Sequence, residues 1–181
     1  MAEPIFHVVL HEPVIPNNTG NIGRTCVATG CALHLIRPLG FDTSVKACRR
    51  AGLDYWPRLS PIEHDSWEDF LGWNDAETAA DARSWGGSAT GATPARIWLF
   101  STKADRLLWD ADFRPGDRFV FGKETAGLPA SMLADERDSV LRLPMVAGER
   151  SLNVATAVCA AIYEGLRQLR DEHALDLRVQ Q

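Results

Sequence analysis

The sequence predicts an α/β domain: a mostly parallel sheet with helices on both faces. Two observations carry this. Short apolar, β-branched runs (IFHVVL, ALHLI, RIWLF, RFVF) alternate with segments of helical spacing. Those runs are apolar at most positions, as strands buried on both faces are. The chain has 181 residues, 45 % of them hydrophobic, which suits a single domain over residues 1–181 with its own core.

The elements follow in order. IFHVVLHEP is a strand closed by a proline. NNTGNIGRTCVATG is a helix that Asn17 or Asn18 can cap and that Gly30 can end in the left-handed conformation. ALHLIRP is a second strand, followed by a helix over about 43–51 that stops at Gly52. HDSWEDFLGW is a short amphipathic helix, and residues 75–95, rich in Ala, Gly, Ser and Thr, read as an exposed loop. RIWLFST, RFVFG and SVLRLP are three more strands. A long helix runs from Asn153 to about Glu172. Its apolar stripe takes in Cys159, Ile162, Tyr163, Leu166 and Leu169. Val154 and Val158 are read as lying off that stripe, a second apolar face that predicts a homodimer.

Several function classes fall away. No apolar run approaches the roughly 18 residues of a membrane span, and the first residues lack a secretory signal pattern. Cys26, Cys31, Cys48 and Cys159 form no C-x-x-C, and three of them sit in apolar stretches. They read as reduced thiols of a cytoplasmic protein. There is no dinucleotide fingerprint, P-loop or G-x-S-x-G elbow. The five histidines have no metal-site spacing, so no metal is expected; His7 and His34 read as packed strand residues. The net charge of −5 argues against broad nucleic-acid binding. KACRRAGLDYWPR nonetheless gathers Lys46, Arg49, Arg50 and Arg58, either a local RNA-binding patch or a solvated helix face.

In open α/β sheets, ligands bind beyond the carboxyl ends of the strands. Three loops here follow strands: HEPVIPNNTGNIGR, GKETAGLP and LPMVAGERSLN. Glu124, between Gly122 and Gly127, reads equally as an exposed turn carboxylate or as a group at a ligand, since glycines admit close backbone approach. Ser151 reads as the cap of the last helix, whose start also suits an anion. Asn153 offers its amide, Arg24 alone reads as a surface arginine, and Tyr163 reads as core.

Taken in order, NNTGNIGRTCVATG, FGKETAGLP and LPMVAGERSLNVATAVCAAIYEGLRQ resemble the three motifs of the SPOUT methyltransferases, and among them the TrmH-type ribose 2′-O-methyltransferases. The resemblance runs from about Ile5 to Arg170. With RRAGLDYW after the second strand, it comes nearest to members that modify the wobble position of tRNA.

The resemblance implies a C-terminal trefoil knot, a homodimer with each site completed near the subunit interface, and S-adenosylmethionine as cofactor. It places Phe100, Gly122, Leu143 and Ser151 at the cofactor. It makes Arg24 the phosphate clamp and stabiliser of the forming alkoxide, supported by Asn17, Glu124 and Asn153. The activity implied is 2′-O-methylation of a cytidine or uridine at the wobble position. The same chemistry at another tRNA or ribosomal RNA position is the nearest alternative, and a non-catalytic knotted RNA-binding protein is the alternative of another class.

Overall fold

The structure, a computed structural model, describes residues 3–84, 95–135 and 137–171. Six strands form one sheet: β1 (His7–His11), β2 (Ala32–Ile36), β3 (Ile62–His64), β4 (Ile97–Phe100), β5 (Arg118–Phe121) and β6 (Val140–Leu141). The order is β3-β2-β1-β5-β4-β6 and every pairing is parallel. The strands are as apolar as the sequence suggests because helices cover both faces.

Alternation along each strand divides the core. Val8, Leu10, Leu33, Leu35, Phe119 and Phe121 point to the face covered by α1 (Pro16–Thr29) and α6 (Val154–Asp171). Two short helices, α2 (Val45–Arg50) and α3 (Trp56–Leu59), add Cys48 and Trp56 on that side. Val9, Ile36, Leu99 and Val120 point to the other face, under α4 (Trp67–Ser84) and α5 (Ala130–Asp135).

Four expectations change here. The amphipathic helix continues to Ser84, so residues 75–84 are helix and not loop; alanine-rich composition favours helix as readily as coil. Residues 85–94 of that predicted loop lie outside the described residues. α1 begins at Pro16 with Ile15 in the cap position and no side-chain cap, so Asn17 and Asn18 sit inside the first turn. Proline at the first helical position was the available signal.

The inward stripe of α6 is Val158, Ala161, Ile162, Leu166 and Leu169, all buried, while Tyr163 is exposed. Val158 is four residues before Ile162 and shares its face, so the off-stripe argument for a dimer does not hold. The cysteines are free: Cys26, Cys31 and Cys48 are buried and Cys159 half-buried.

His7 and His34 are packed strand residues, and His64 joins them. His7 Nδ1 lies 2.9 Å from His34 Nε2, and His34 Nδ1 lies 2.9 Å from His64 Nε2. Trp73 and Phe70 of α4 cover the row. Among the described residues no helix is long and apolar enough to cross a membrane. Nor is there a His, Cys, Asp or Glu group among them that would hold a metal ion.

Candidate active site

Sequential strands β4, β5 and β6 each end in a loop, and the three loops close on one cavity of about 530 Å³. Ile15, from the loop between β1 and α1, and Asn18, from the first turn of α1, complete it. The volume falls in the range of small-molecule sites. One wall is apolar, from Phe100, Phe121, Leu128, Leu143 and Val154. The rim is polar and cationic, with Lys123, Arg142 and Arg150.

The loop after β5 has a fixed shape for steric reasons. Gly127 N–H donates to Lys123 O at 2.7 Å, folding residues 123–127 into a tight turn. A Cβ on Gly122 would lie 2.1 Å from the Gly127 carbonyl carbon and 2.2 Å from the Leu128 nitrogen. Gly127 has φ 72°, where a side chain is strained. Both glycines therefore serve the loop's own backbone first, and that backbone becomes the cavity wall.

Glu124 reaches from this turn to the start of α1. Its carboxylate accepts the Val14 N–H at 2.9 Å, the Ile15 N–H at 3.2 Å and the Asn18 amide at 3.2 Å. It thus serves donors at a helix entry that has no cap of its own. Partial burial raises its pKa, but the hydrogen bonds from Val14, Asn18 and Ile15 outweigh that and hold it below the ordinary glutamate value.

The network continues to α6. A carboxylate can only accept, so Asn18 must offer it the amide NH₂ and turn its oxygen away. That oxygen accepts from Asn153 Nδ2 at 2.9 Å. The Asn153 oxygen in turn accepts the Ala155 N–H at 2.9 Å and the Thr156 N–H at 3.4 Å, which makes Asn153 the cap of α6. One chain of hydrogen bonds, Glu124–Asn18–Asn153, ties together the loops after β1, β5 and β6.

Of the expected cofactor residues, Phe100, Gly122, Leu143 and Ser151 all line the cavity. Ser151 is exposed and precedes the α6 cap by two residues, so Asn153 takes the capping role expected of it. Of the expected catalytic group, Glu124 and Asn153 line the cavity and Asn17 does not. Its neighbour Asn18 does, buried on the same α1 face as Ile22 and Cys26. That periodicity was the sequence signal separating the two asparagines.

Arg24 stands outside the cavity, one to two turns further along α1. It lies 4.8 Å over the Tyr55 ring and 3.8 Å from Asp54. Lys46, Arg49, Arg50 and Arg58 are exposed on α2 and α3. A further residue absent from the sequence reading is Glu12, at φ 51° after β1 and paired with Lys123 at 3.3 Å.

A parallel sheet whose strand-end loops are bound into one cavity is the ligand-binding arrangement of the open α/β class. Residues 5–163 match the SpoU rRNA Methylase family, and the chain belongs to it. A tRNA (cytidine(34)-2′-O)-methyltransferase from Saccharophagus degradans is 42 % identical over 166 residues, which are 91 % of this chain and 96 % of the relative. One of the same description from Burkholderia ambifaria is 42 % identical over 165 residues, 91 % of this chain and 96 % of the relative.

Among solved structures, one described as giving insight into the 2-OH methylation of C/U34 on tRNA aligns with a TM-score of 0.75 at 41 % identity, covering 94 % of both chains. The SpoU methyltransferase AviRb from Streptomyces viridochromogenes, in complex with the cofactor AdoMet, aligns with a TM-score of 0.71 at 26 % identity. The match covers 94 % of this chain and 63 % of AviRb.

Proposed function

We propose that this protein transfers a methyl group from S-adenosylmethionine to the ribose 2′-hydroxyl of the wobble nucleotide, cytidine or uridine, of tRNA. The observation that carries the reading is the cavity. All four residues expected at the cofactor line it, and the polar network beside it joins Glu124 to Asn153.

The residues suit the cofactor. The apolar wall of Phe100, Leu128 and Leu143 fits an adenine, and Gly122 keeps the loop backbone folded against Gly127 and Leu128, so that this backbone would form the polar side of the pocket. Ser151 and Asn153 would face the polar remainder. When bound, the cofactor supplies a sulfonium methyl that is already activated for transfer.

The chain's own work is orientation and charge. The Glu124–Asn18–Asn153 chain fixes three loops so that cofactor and ribose meet in line. Glu124, held below its usual pKa with its oxygens engaged, is a poor base and acts as a positioning residue. Cations at the rim, with Arg24, hold phosphate and stabilise the forming alkoxide.

Arg24 lies away from the cavity of its own chain, which supports its use across a homodimer. Exposed Ile15, Leu152 and Tyr163 offer apolar surface for such a contact. The trefoil knot and a cytoplasmic location belong to the same proposal.

The deciding experiment incubates the protein with methyl-labelled cofactor and an anticodon stem-loop. Label on the wobble ribose is expected. Label confined to another tRNA position or to ribosomal RNA overturns the substrate, and failure to bind cofactor overturns the enzyme. For the dimer, an Arg24→Ala chain co-expressed with a Gly122→Leu chain should recover activity that neither has alone. No recovery places Arg24 at its own cavity.

A further inference from the structure

A second cleft of about 370 Å³ lies beside the first turn of α1, between that helix and α2 and α3. Asn17 and Asn21, one turn apart on α1, line it together with half-buried Phe41, buried Trp56 and exposed Asp42. Thr19 also lines the cleft. It is buried, and its Oγ1 has no hydrogen-bond partner among the described residues. Buried hydroxyls are nearly always paired, and this one, with almost no accessible surface, is reached from the cleft only if the wall shifts on binding.

The cleft and the cofactor cavity share one short segment. Asn17 lines the first and Asn18, the next residue, lines the second. Exposed Lys46, Arg49 and Arg50 stand on α2, the helix that closes the cleft. Asp42 is the one carboxylate among the described residues lining the cleft, so three cations on α2 stand beside one acid on a protein that is acidic overall.

Amides and an aromatic ring beside a cationic edge are the groups that hold an unstacked base. The ring takes its face, the amides its edge, and the cations its phosphates. We propose that this cleft binds an unstacked nucleobase of the anticodon loop, within one nucleotide of the ribose that is methylated. The proposal rests on the tRNA reading above. It gives the cleft the task of pulling the strand open so that the hydroxyl reaches the cofactor cavity.

The test is a cycle between protein variants and RNA. Phe41→Ala removes the ring, and Asn21→Ala changes only an exposed side chain, so it leaves the fold intact. The probes are an intact anticodon stem-loop and three versions with one abasic site, at the methylated nucleotide or at either neighbour. Each variant should weaken binding of the intact RNA by about tenfold, the scale of one stacked base. One abasic RNA should be weakened similarly on the unaltered protein, with no further loss when variant and that RNA are combined.

Full affinity in both variants, or additive losses with all three abasic RNAs, overturns the proposal. So does a variant that binds RNA less because its dimer has dissociated in light scattering, since the cleft then holds a partner chain. The label position on intact RNA is read alongside. Label away from the wobble ribose refutes the proposed substrate, whereas correct label with additive losses refutes the cleft alone.

Discussion

Replacing Glu124 with glutamine tests whether one carboxylate organises the site. The native group accepts three hydrogen bonds, two from the backbone of Val14 and Ile15 and one from Asn18. A glutamine oxygen can serve one side of that arrangement. Its NH₂ then faces an N–H donor, and the negative charge is gone. Hydrogen bonds to a charged group contribute about 1.5–3 kcal/mol each against about 0.5–1.5 for neutral ones. Glu124 is only half-buried, so the low end applies, and a loss of about 2 kcal/mol is expected.

Urea unfolding of the two proteins at neutral pH measures it as a lower midpoint with unchanged slope. Methyl transfer should fall by about tenfold or more, because displacing Asn18 releases Asn153 and the start of α6. The acid limb of the rate profile should show no group titrating near pH 6–7 that the variant removes, as a positioning role demands. Stability within about 0.5 kcal/mol of the parent would refute the reasoning. So would an acid limb that disappears with Glu124, which would make it the base.

Gly122→Ala should abolish cofactor binding, read by calorimetry, because its Cβ meets backbone at 2.1 Å and the cavity wall must move. Acid should loosen α4. Burial first, and the Arg118 charge second, lower the His7 pKa from 6.5 to about 4, while burial lowers His34 and His64 as well. The unfolded chain then binds more protons than the folded one, so stability is complete above about pH 6.5 and falls between there and about pH 4. From pH 7.5 to pH 5 the His7 share alone is about 2 kcal/mol, and a flat midpoint over that range would contradict it. Arg24→Ala should lower methyl transfer by about 10²–10³ with cofactor affinity kept; unchanged turnover at saturating tRNA would remove its catalytic role. Arg49→Ala with Arg50→Ala should flatten the log–log salt dependence of tRNA binding by up to roughly 1.4, and an unchanged slope would clear these residues of phosphate contact.

Local composition and loop motifs were enough to predict the class of fold and to point to the cavity. Strand burial is written in local composition, so IFHVVL, ALHLI and RFVF announced a covered parallel sheet. The motifs marked three of the four loops that line the cavity, because turns declare themselves through glycine and proline; the loop after β4, with Ser101, Thr102 and Lys103, carries no such signal. Tertiary structure decided which polar atoms meet. Spacing with Ile22 and Cys26 marks Asn18 rather than Asn17 as inward-facing, but its partner Glu124, 106 residues away, is set by tertiary packing. The α6 cap fell to Asn153 and not Ser151, because the helix starts at Val154, one residue after the start that the spacing suggests. Val158, by contrast, was legible in the spacing: it stands four residues before Ile162 and shares its inward face. Partners distant in the chain leave no trace in local spacing, and the row of His7, His34 and His64 exists only because three strands lie side by side.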